Sequence, residues 1–92
     1  MKRNVKMKVS NDFPEPITLW LEPWGVDFGM MPEDEFEIIA ENADEEFYFH
    51  VVCNKDIQVY VEGQSDYPGI YKNGTKLETG HNRFWDKTEN ES

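Results

Sequence analysis

Apolar and polar residues alternate with a period of two over most of this sequence. In the first such segment, Val5, Met7 and Val9 are separated by Lys6 and Lys8. Because successive side chains of an extended chain point to opposite sides, this alternation predicts strands with one buried and one exposed face. The same pattern recurs at residues 17–22, 35–41, 47–53 and 57–62, and a short extended piece is expected at residues 26–30.

Turn-forming residues separate the predicted strands. Pro14 and Pro16 mark a connection before residue 17, since proline lacks the N–H that a sheet ladder needs. Asn73-Gly74 lies between short strands at 70–72 and 75–77 and predicts a type I′ hairpin turn. About seven strands, with turns at intervals of roughly eight to twelve residues, predict an all-β fold, a small antiparallel β-sandwich. Other predicted turns and loops are at 23–25, 42–44, 54–56 and 63–66.

The residues on the inner side of these strands form the predicted core. Cys53 has the same phase as Phe47, Phe49 and Val51, and we expect it to be buried as a small core residue. We expect one β-sandwich domain over residues 1–84 and a frayed polar tail over residues 85–92, which has too little apolar surface to stay ordered. The predicted core is Val5, Met7, Val9, Ile17, Leu19, Leu21, Phe36, Ile38, Ala40, Phe47, Phe49, Val51, Ile57, Val59, Val61 and Leu77.

Charge and cysteine content narrow the function classes. The 92 residues carry a formal net charge of −10 at pH 7, which disfavours direct binding to nucleic acid or to an anionic membrane and favours a basic protein as partner. The single cysteine excludes an internal disulfide. No apolar run approaches the roughly 18 residues of a membrane span, and no signal-peptide pattern is present. These features predict a cytoplasmic protein.

Two motifs resemble a known group of proteins. Residues 19–25, Leu-Trp-Leu-Glu-Pro-Trp-Gly, are followed by residues 31–39, Met-Pro-Glu-Asp-Glu-Phe-Glu-Ile-Ile. With the later Val-Tyr-Val strand and the Asn-Gly hairpin, over roughly residues 17–77, they resemble small uncharacterised bacterial proteins with a Glu-Pro-Trp-Gly turn. The resemblance implies a compact β-sandwich and no particular activity. Pro32-Glu33 departs from the Pro-Gly that this group often has.

Candidate catalytic and metal-binding groups lack the spacing that their chemistry needs. The copper site found on some small β-sandwiches uses two histidines, a cysteine and a weakly bound methionine. It would need a methionine after Cys53, and none follows. His50 and Cys53 face opposite sides of one predicted strand, which disfavours a Cys/His nucleophile. Residues 42–46 lack the glycine and the alternating oxygens of a calcium loop. We therefore expect no catalytic residue, no metal site and no cofactor, although a glycosidase carboxylate pair can be judged only in three dimensions.

Three aromatic residues form the first candidate partner-binding site. By alternation, Trp20, Tyr48 and Tyr60 point away from the core. Aromatic side chains in such positions are typical anchors of protein interfaces, and they also stack on sugars. The structural alternative is that a second layer covers them, formed by a partner subunit or by a segment that carries Trp24, Phe28, Phe84 or Trp85.

A row of carboxylates forms the second candidate site. Glu33, Glu35, Glu37 and Glu41 fall on one side of an extended chain, about 6.6–6.8 Å apart. This is about half the charge density of a B-DNA strand, so mimicry of a phosphate backbone would need further acidic residues. The sequence thus predicts a monomeric, non-catalytic binding or accessory protein that acts through an aromatic or acidic face. The alternative is an acidic, nucleic-acid-mimicking inhibitor of a DNA- or RNA-binding protein, encoded by a bacterium or a phage.

Overall fold

Eight β-strands make up the fold in the computed structural model, which describes residues 2–83. Within this range no helix is long and apolar enough to cross a membrane. The predicted tail at residues 85–92 lies outside the described residues. The strands are β1 (Arg3–Ser10), β2 (Ile17–Glu22), β3 (Val26–Met30), β4 (Glu35–Ala43), β5 (Tyr48–Cys53), β6 (Ile57–Glu62), β7 (Gly69–Lys72) and β8 (Thr75–Lys76).

The strands form two four-stranded sheets that pack face to face. Sheet A has the order β1-β4-β7-β8, and sheet B has the order β3-β2-β6-β5. All neighbouring strands are antiparallel except β2 and β6, which run parallel with Leu19 opposite Ile57. The predicted all-β sandwich is therefore confirmed. Asn73 and Gly74 both have positive φ, at 52° and 79°, as a type I′ turn requires.

The core lies between the sheets and forms two clusters of inward side chains. The larger cluster includes Leu19, Leu21, Phe36 and Ile38, as predicted, and also three residues that are absent from the predicted core. A smaller cluster lies near the start of β5. The buried apolar residues absent from the predicted core are Phe28, Met30, Ala43 and Ile70.

The prediction that Val51 and Cys53 are buried is wrong. Both side chains have the inward phase, but Val51 is 43% exposed and Cys53 is an exposed free thiol. The reason is position within the sheet. Strand β5 is the outer strand of sheet B and, of the described strands, pairs only with β6, so the opposite sheet covers Phe49 but not the end of the strand.

Strand β4 continues to Ala43, into the segment at 42–44 that is predicted from the sequence to be a turn. A β-bulge makes this possible, since Val5 lies opposite Ala40 whereas Arg3 lies opposite Ala43. Asn42 takes a positive φ of 54°, and the extra residue returns Ala43 to the core. The turn lies instead at residues 44–47, where the Arg3 guanidinium donates to the carbonyls of Asp44 and Phe47.

The segment from Leu77 to Arg83, here called the closing segment, joins the sheets on one side of the sandwich. Leu77 N–H donates to the Ile70 carbonyl at 2.8 Å, and Gly80 N–H donates to the Asp27 carbonyl at 2.8 Å. The Arg83 guanidinium makes two hydrogen bonds of 2.7 Å with the buried Asp27 carboxylate. The closing segment thereby covers the outer edge of β3.

Candidate binding site on the outer face of sheet B

The three predicted aromatic residues lie on one surface, the outer face of sheet B. Trp20 lies between the fully buried Leu19 and Leu21, which confirms that its side chain points outward. Tyr60 and Tyr48 lie on the same face of β6 and β5. Trp20 and Tyr60 are half-buried and Tyr48 is 58% exposed. We call the surface formed by Trp20, Tyr48, His50, Val52, Gln58 and Tyr60 the aromatic face.

Cross-strand pairing sets the spacing of side chains on the aromatic face. His50 lies opposite Tyr60, and their ring centroids are 5.7 Å apart with the rings tilted by 36°. The Glu62 carboxylate lies 3.9 Å from His50 Nδ1, and both side chains are well exposed to solvent. Gln58 lies between Trp20 and Val52 in the register of the three strands. The face is therefore mixed, with apolar ring surface and hydrogen-bonding groups at its margin.

An open groove of about 1050 Å³ adjoins Trp20 at one end of the aromatic face. One wall is the segment that precedes β2, and the other wall is the turn between β5 and β6. The Asp56 carboxylate accepts a hydrogen bond of 3.1 Å from Thr18 N–H, which holds this turn against β2. The lining residues include Phe13, Pro14, Pro16, Trp20, Lys55 and Asp56.

A buried asparagine holds the wall that carries Phe13. Asn11 is fully buried, and its amide donates to the Glu15 carbonyl at 2.9 Å and to the Met30 carbonyl at 3.0 Å. Its side-chain oxygen accepts a hydrogen bond of 2.9 Å from Phe13 N–H. The backbone around Phe13 is thus fixed although its side chain is 66% exposed. Sequence reasoning did not select Phe13, because a proline-flanked loop has no periodicity from which exposure can be predicted.

The residues considered as a second layer over the aromatic face have different positions. Phe28 lies in the core, so it cannot cover the face. Trp24 pairs with Tyr67 at the opposite end of the sandwich, with ring centroids 4.8 Å apart, and both rings are exposed. Phe84 and Trp85 lie outside the described residues. Neither Trp24 nor Phe28 therefore forms the predicted layer.

The acidic residues of the second candidate site do not form one free row. Glu35 and Glu37 lie on the outer face of sheet A, where Lys8 and Lys6 each approach a carboxylate oxygen to 3.7 Å. Glu33 lies in the turn before β4 with a φ of 72°, so it is not part of the extended strand. Glu41 lies in β4 next to the bulge. Sequence-local patterning did not reveal that β1 places its lysines beside these carboxylates.

One carboxylate outside both candidate sites has a shifted pKa. Burial acts to raise the pKa of Asp34, but the net shift is downward. The opposing causes are a hydrogen bond of 2.9 Å from Lys72 Nζ, a hydrogen bond from Met31 N–H, and the charges of Lys72 and His81. The ionised Asp34 therefore fixes the β3–β4 turn to strand β7 and has a structural role.

The groups considered for catalysis or metal binding do not converge. His50 points to the outer face of β5, whereas Cys53 has the opposite phase on the same strand. Across the described part of the chain, no group of three or more histidine, cysteine, aspartate or glutamate side chains is arranged to hold a metal ion. The buried polar side chains have structural partners instead. Asn11 donates to the Met30 carbonyl, and Asp27 accepts from Arg83.

Comparisons with protein-family models, curated proteins and solved structures gave no match. The resemblance of the Glu-Pro-Trp-Gly segment to small bacterial proteins therefore stays a prediction. In this chain the Glu22–Pro23 peptide is cis, and Gly25 N–H donates to the Leu21 carbonyl at 3.1 Å to complete the turn between β2 and β3.

Proposed function

We propose that this protein is a non-catalytic binding or accessory protein that docks a protein partner in the groove and on the adjoining aromatic face. The observation that carries the proposal is Phe13, a highly exposed aromatic side chain on a backbone that the buried Asn11 holds in place. Exposed aromatic residues on rigid supports bind with little loss of conformational entropy, and such residues dominate interface energies. Trp20 extends this apolar surface onto the sheet.

The charge of the chain supports a partner with basic residues. The net charge is −10, and the groove is flanked by the carboxylates of Glu15 and Asp56 as well as by Lys55. Complementary charge speeds association and selects among partners more than it adds affinity. We therefore propose a partner that places an apolar segment in the groove and basic residues around its rim.

The alternative of nucleic-acid mimicry has less support from the geometry. It needs a continuous row of unpaired carboxylates, whereas Glu35 and Glu37 face lysines of β1. Exposed ion pairs of this kind contribute little stability, about 0–1 kcal/mol, but each lysine offsets the charge of the carboxylate beside it. We keep mimicry as an outcome of the test below.

Affinity capture from a native lysate, with matched variants, tests the proposal. The bait is the wild-type chain, Phe13→Ala or Trp24→Ala, at low and high salt. Phe13 and Trp24 are both exposed aromatics, but only Phe13 lines the groove, so Trp24→Ala is the matched control. We expect a partner that binds wild type and Trp24→Ala and that Phe13→Ala loses, because truncation of an interface anchor costs about 2 kcal/mol or more of binding.

Two further results separate the alternatives. A DNA- or RNA-binding partner that Phe13→Ala retains, and that is released by salt, would contradict groove docking and favour mimicry. Trp20→Ala and Tyr60→Ala extend the test across the aromatic face. Thermal melts of these two variants are required, because both side chains are half-buried and truncation of a core aromatic costs about 3–5 kcal/mol of stability.

A further inference from the structure

The sheet edges of this sandwich are protected unequally. Strand β1 carries Arg3, Lys6 and Lys8, and charged residues on an edge strand oppose pairing with another chain. Strand β8 has only two residues, Thr75 and Lys76. The closing segment covers the edge of β3 through its hydrogen bonds to that strand. The remaining edge belongs to β5.

Among residues 2–83, nothing protects strand β5 in these ways. Within this range it pairs only with β6, and its sequence Tyr48–Cys53 contains no charged residue, proline or glycine. Tyr48 and His50 are exposed on one side of the strand, and Val51 and Cys53 are exposed on the other. An exposed, apolar edge strand presents unpaired N–H and C=O groups that accept a further strand.

We propose that the β5 edge pairs antiparallel with β5 of a second copy of this chain, so that two sheets B join into one eight-stranded sheet. Charge at the strand ends favours this arrangement. Asp44, Glu45 and Glu46 precede β5, whereas Lys55 and Asp56 follow it and cancel in charge, so antiparallel pairing brings the acidic end of one copy to the neutral end of the other. A parallel pair would bring like charges together.

A twofold axis also explains why the apolar residues lie in the middle of the strand. In an antiparallel pair centred on β5, Val51 lies close to its own counterpart, and each covers the other. The contact involves one short strand, so we place its area at the low end of specific interfaces, below about 1,200 Å² in total. The dimer is therefore weak and forms only at high protein concentration. This inference does not rest on the proposed partner site, because Phe13 takes no part in it, although Lys55 of the groove wall and Tyr48 of the aromatic face lie beside the paired edge.

Sedimentation velocity from about 5 μM to about 1 mM protein tests the inference at about 0.15 M salt, which screens the repulsion between two chains of net charge −10. A reductant is included, because Cys53 is exposed and an intermolecular disulfide would mimic pairing. We expect the mass of wild type to rise from 10.9 kDa toward twice that value. Val51→Lys should weaken the dimer at least about tenfold, since it sets two ammonium groups across the twofold axis.

Thr75→Lys is the matched control, because it adds the same charge to an exposed position on a different edge strand. It should dimerise like wild type. Amide hydrogen exchange of the wild-type chain gives a second measurement that needs no substitution: amides of β5 should gain protection at high concentration, whereas those of β1 should not. A wild-type chain that stays monomeric at about 1 mM, or equal effects of the two lysine variants, would overturn the inference and leave the edge to an extended segment of another protein.

Discussion

Asn11→Ala is the substitution that tests most directly how this fold supports its groove. In the wild type the Asn11 side chain makes three hydrogen bonds, to the carbonyls of Glu15 and Met30 and from the N–H of Phe13. The bond to Met30 is buried, whereas the other two are partly accessible. Alanine removes all three hydrogen bonds at once. Of the three backbone groups left behind, only the Glu15 carbonyl and the Phe13 N–H can bond to water instead.

The expected loss follows from this difference in burial. An unsatisfied buried carbonyl costs about 1–3 kcal/mol, and each of the other two bonds contributes about 0.5–1.5 kcal/mol. We therefore expect Asn11→Ala to lower the free energy of unfolding by about 2–6 kcal/mol. For a domain of this size each kcal/mol corresponds to roughly 4–8 °C, so Tm should fall by at least about 8 °C, which is measurable by circular dichroism.

Asn54→Ala is the control for this experiment. Asn54 also accepts backbone hydrogen bonds through its side chain, from Lys55 and Asp56, but these are exposed to solvent. Its loss should cost less than about 1 kcal/mol. Equal effects of the two substitutions would refute the argument that Asn11 acts through burial, and Phe13 would then have no rigid support.

Three further predictions concern the Asn73-Gly74 turn, the partly buried Asp34–Lys72 ion pair and the Cys53 thiol. Gly74 has a φ of 79°, and no atom lies within 4 Å of the position that an added Cβ would take, so Gly74→Val should act through backbone strain alone and cost about 1–3 kcal/mol of stability. A melt in which Gly74→Asn is no more stable than Gly74→Val would contradict this. The fold lowers the pKa of Asp34, so the stability that ionised Asp34 provides is present above about pH 4 and is lost as the pH falls through its folded-state pKa. When unfolding by denaturant is followed below pH 4, Asp34→Asn should therefore lose less stability than wild type or the exposed variant Asp12→Asn. Cys53 should react with a thiol reagent in the native state at nearly the rate of the unfolded chain, and strong protection would show that β5 is covered.

Alternation predicted most of the strands and the direction of their side chains. Trp20 was assigned to the outer face because it interrupts Leu19 and Leu21, and the structure agrees. The phase of a side chain depends only on neighbouring residues in the extended chain, so it can be found without knowledge of the partner strand. The same holds for Asn73-Gly74, whose positive φ values are a local property.

Coverage of a face, in contrast, depends on contacts far apart in sequence. Val51 and Cys53 have the phase of Phe49 but lie where sheet A does not reach. The pairing of Lys6 with Glu37 likewise depends on β1 lying beside β4. Strand order cannot be obtained from alternation. For this reason the predicted core extends too far along β5, and the predicted acidic row lacks the lysines that lie beside it.

Asn11 and Phe13 show that burial within a loop is also hard to predict from sequence. Both lie in a polar, proline-flanked segment, where exposed residues are the usual expectation, yet Asn11 is fully buried. The available signal was the short spacing of Asn11 and Phe13, since an asparagine side chain often accepts a hydrogen bond from the N–H two residues later. That motif predicts a local turn, but its second role, the bond to Met30, requires the fold.

The groove, the aromatic face and the β5 edge all lie on or beside the part of sheet B that the closing segment leaves open. Trp20, Gln58 and Val52 form one row across β2, β6 and β5, so the aromatic face runs from the groove to the β5 edge. A second copy paired at that edge would continue the face and present two grooves on one sheet. Substitution of Tyr48 would then alter both surfaces, because it lies on the aromatic face and on the edge strand. Phe13 lies on the groove wall that precedes β2, whereas Val51 lies on the β5 edge, so Phe13→Ala and Val51→Lys separate partner binding from self-association.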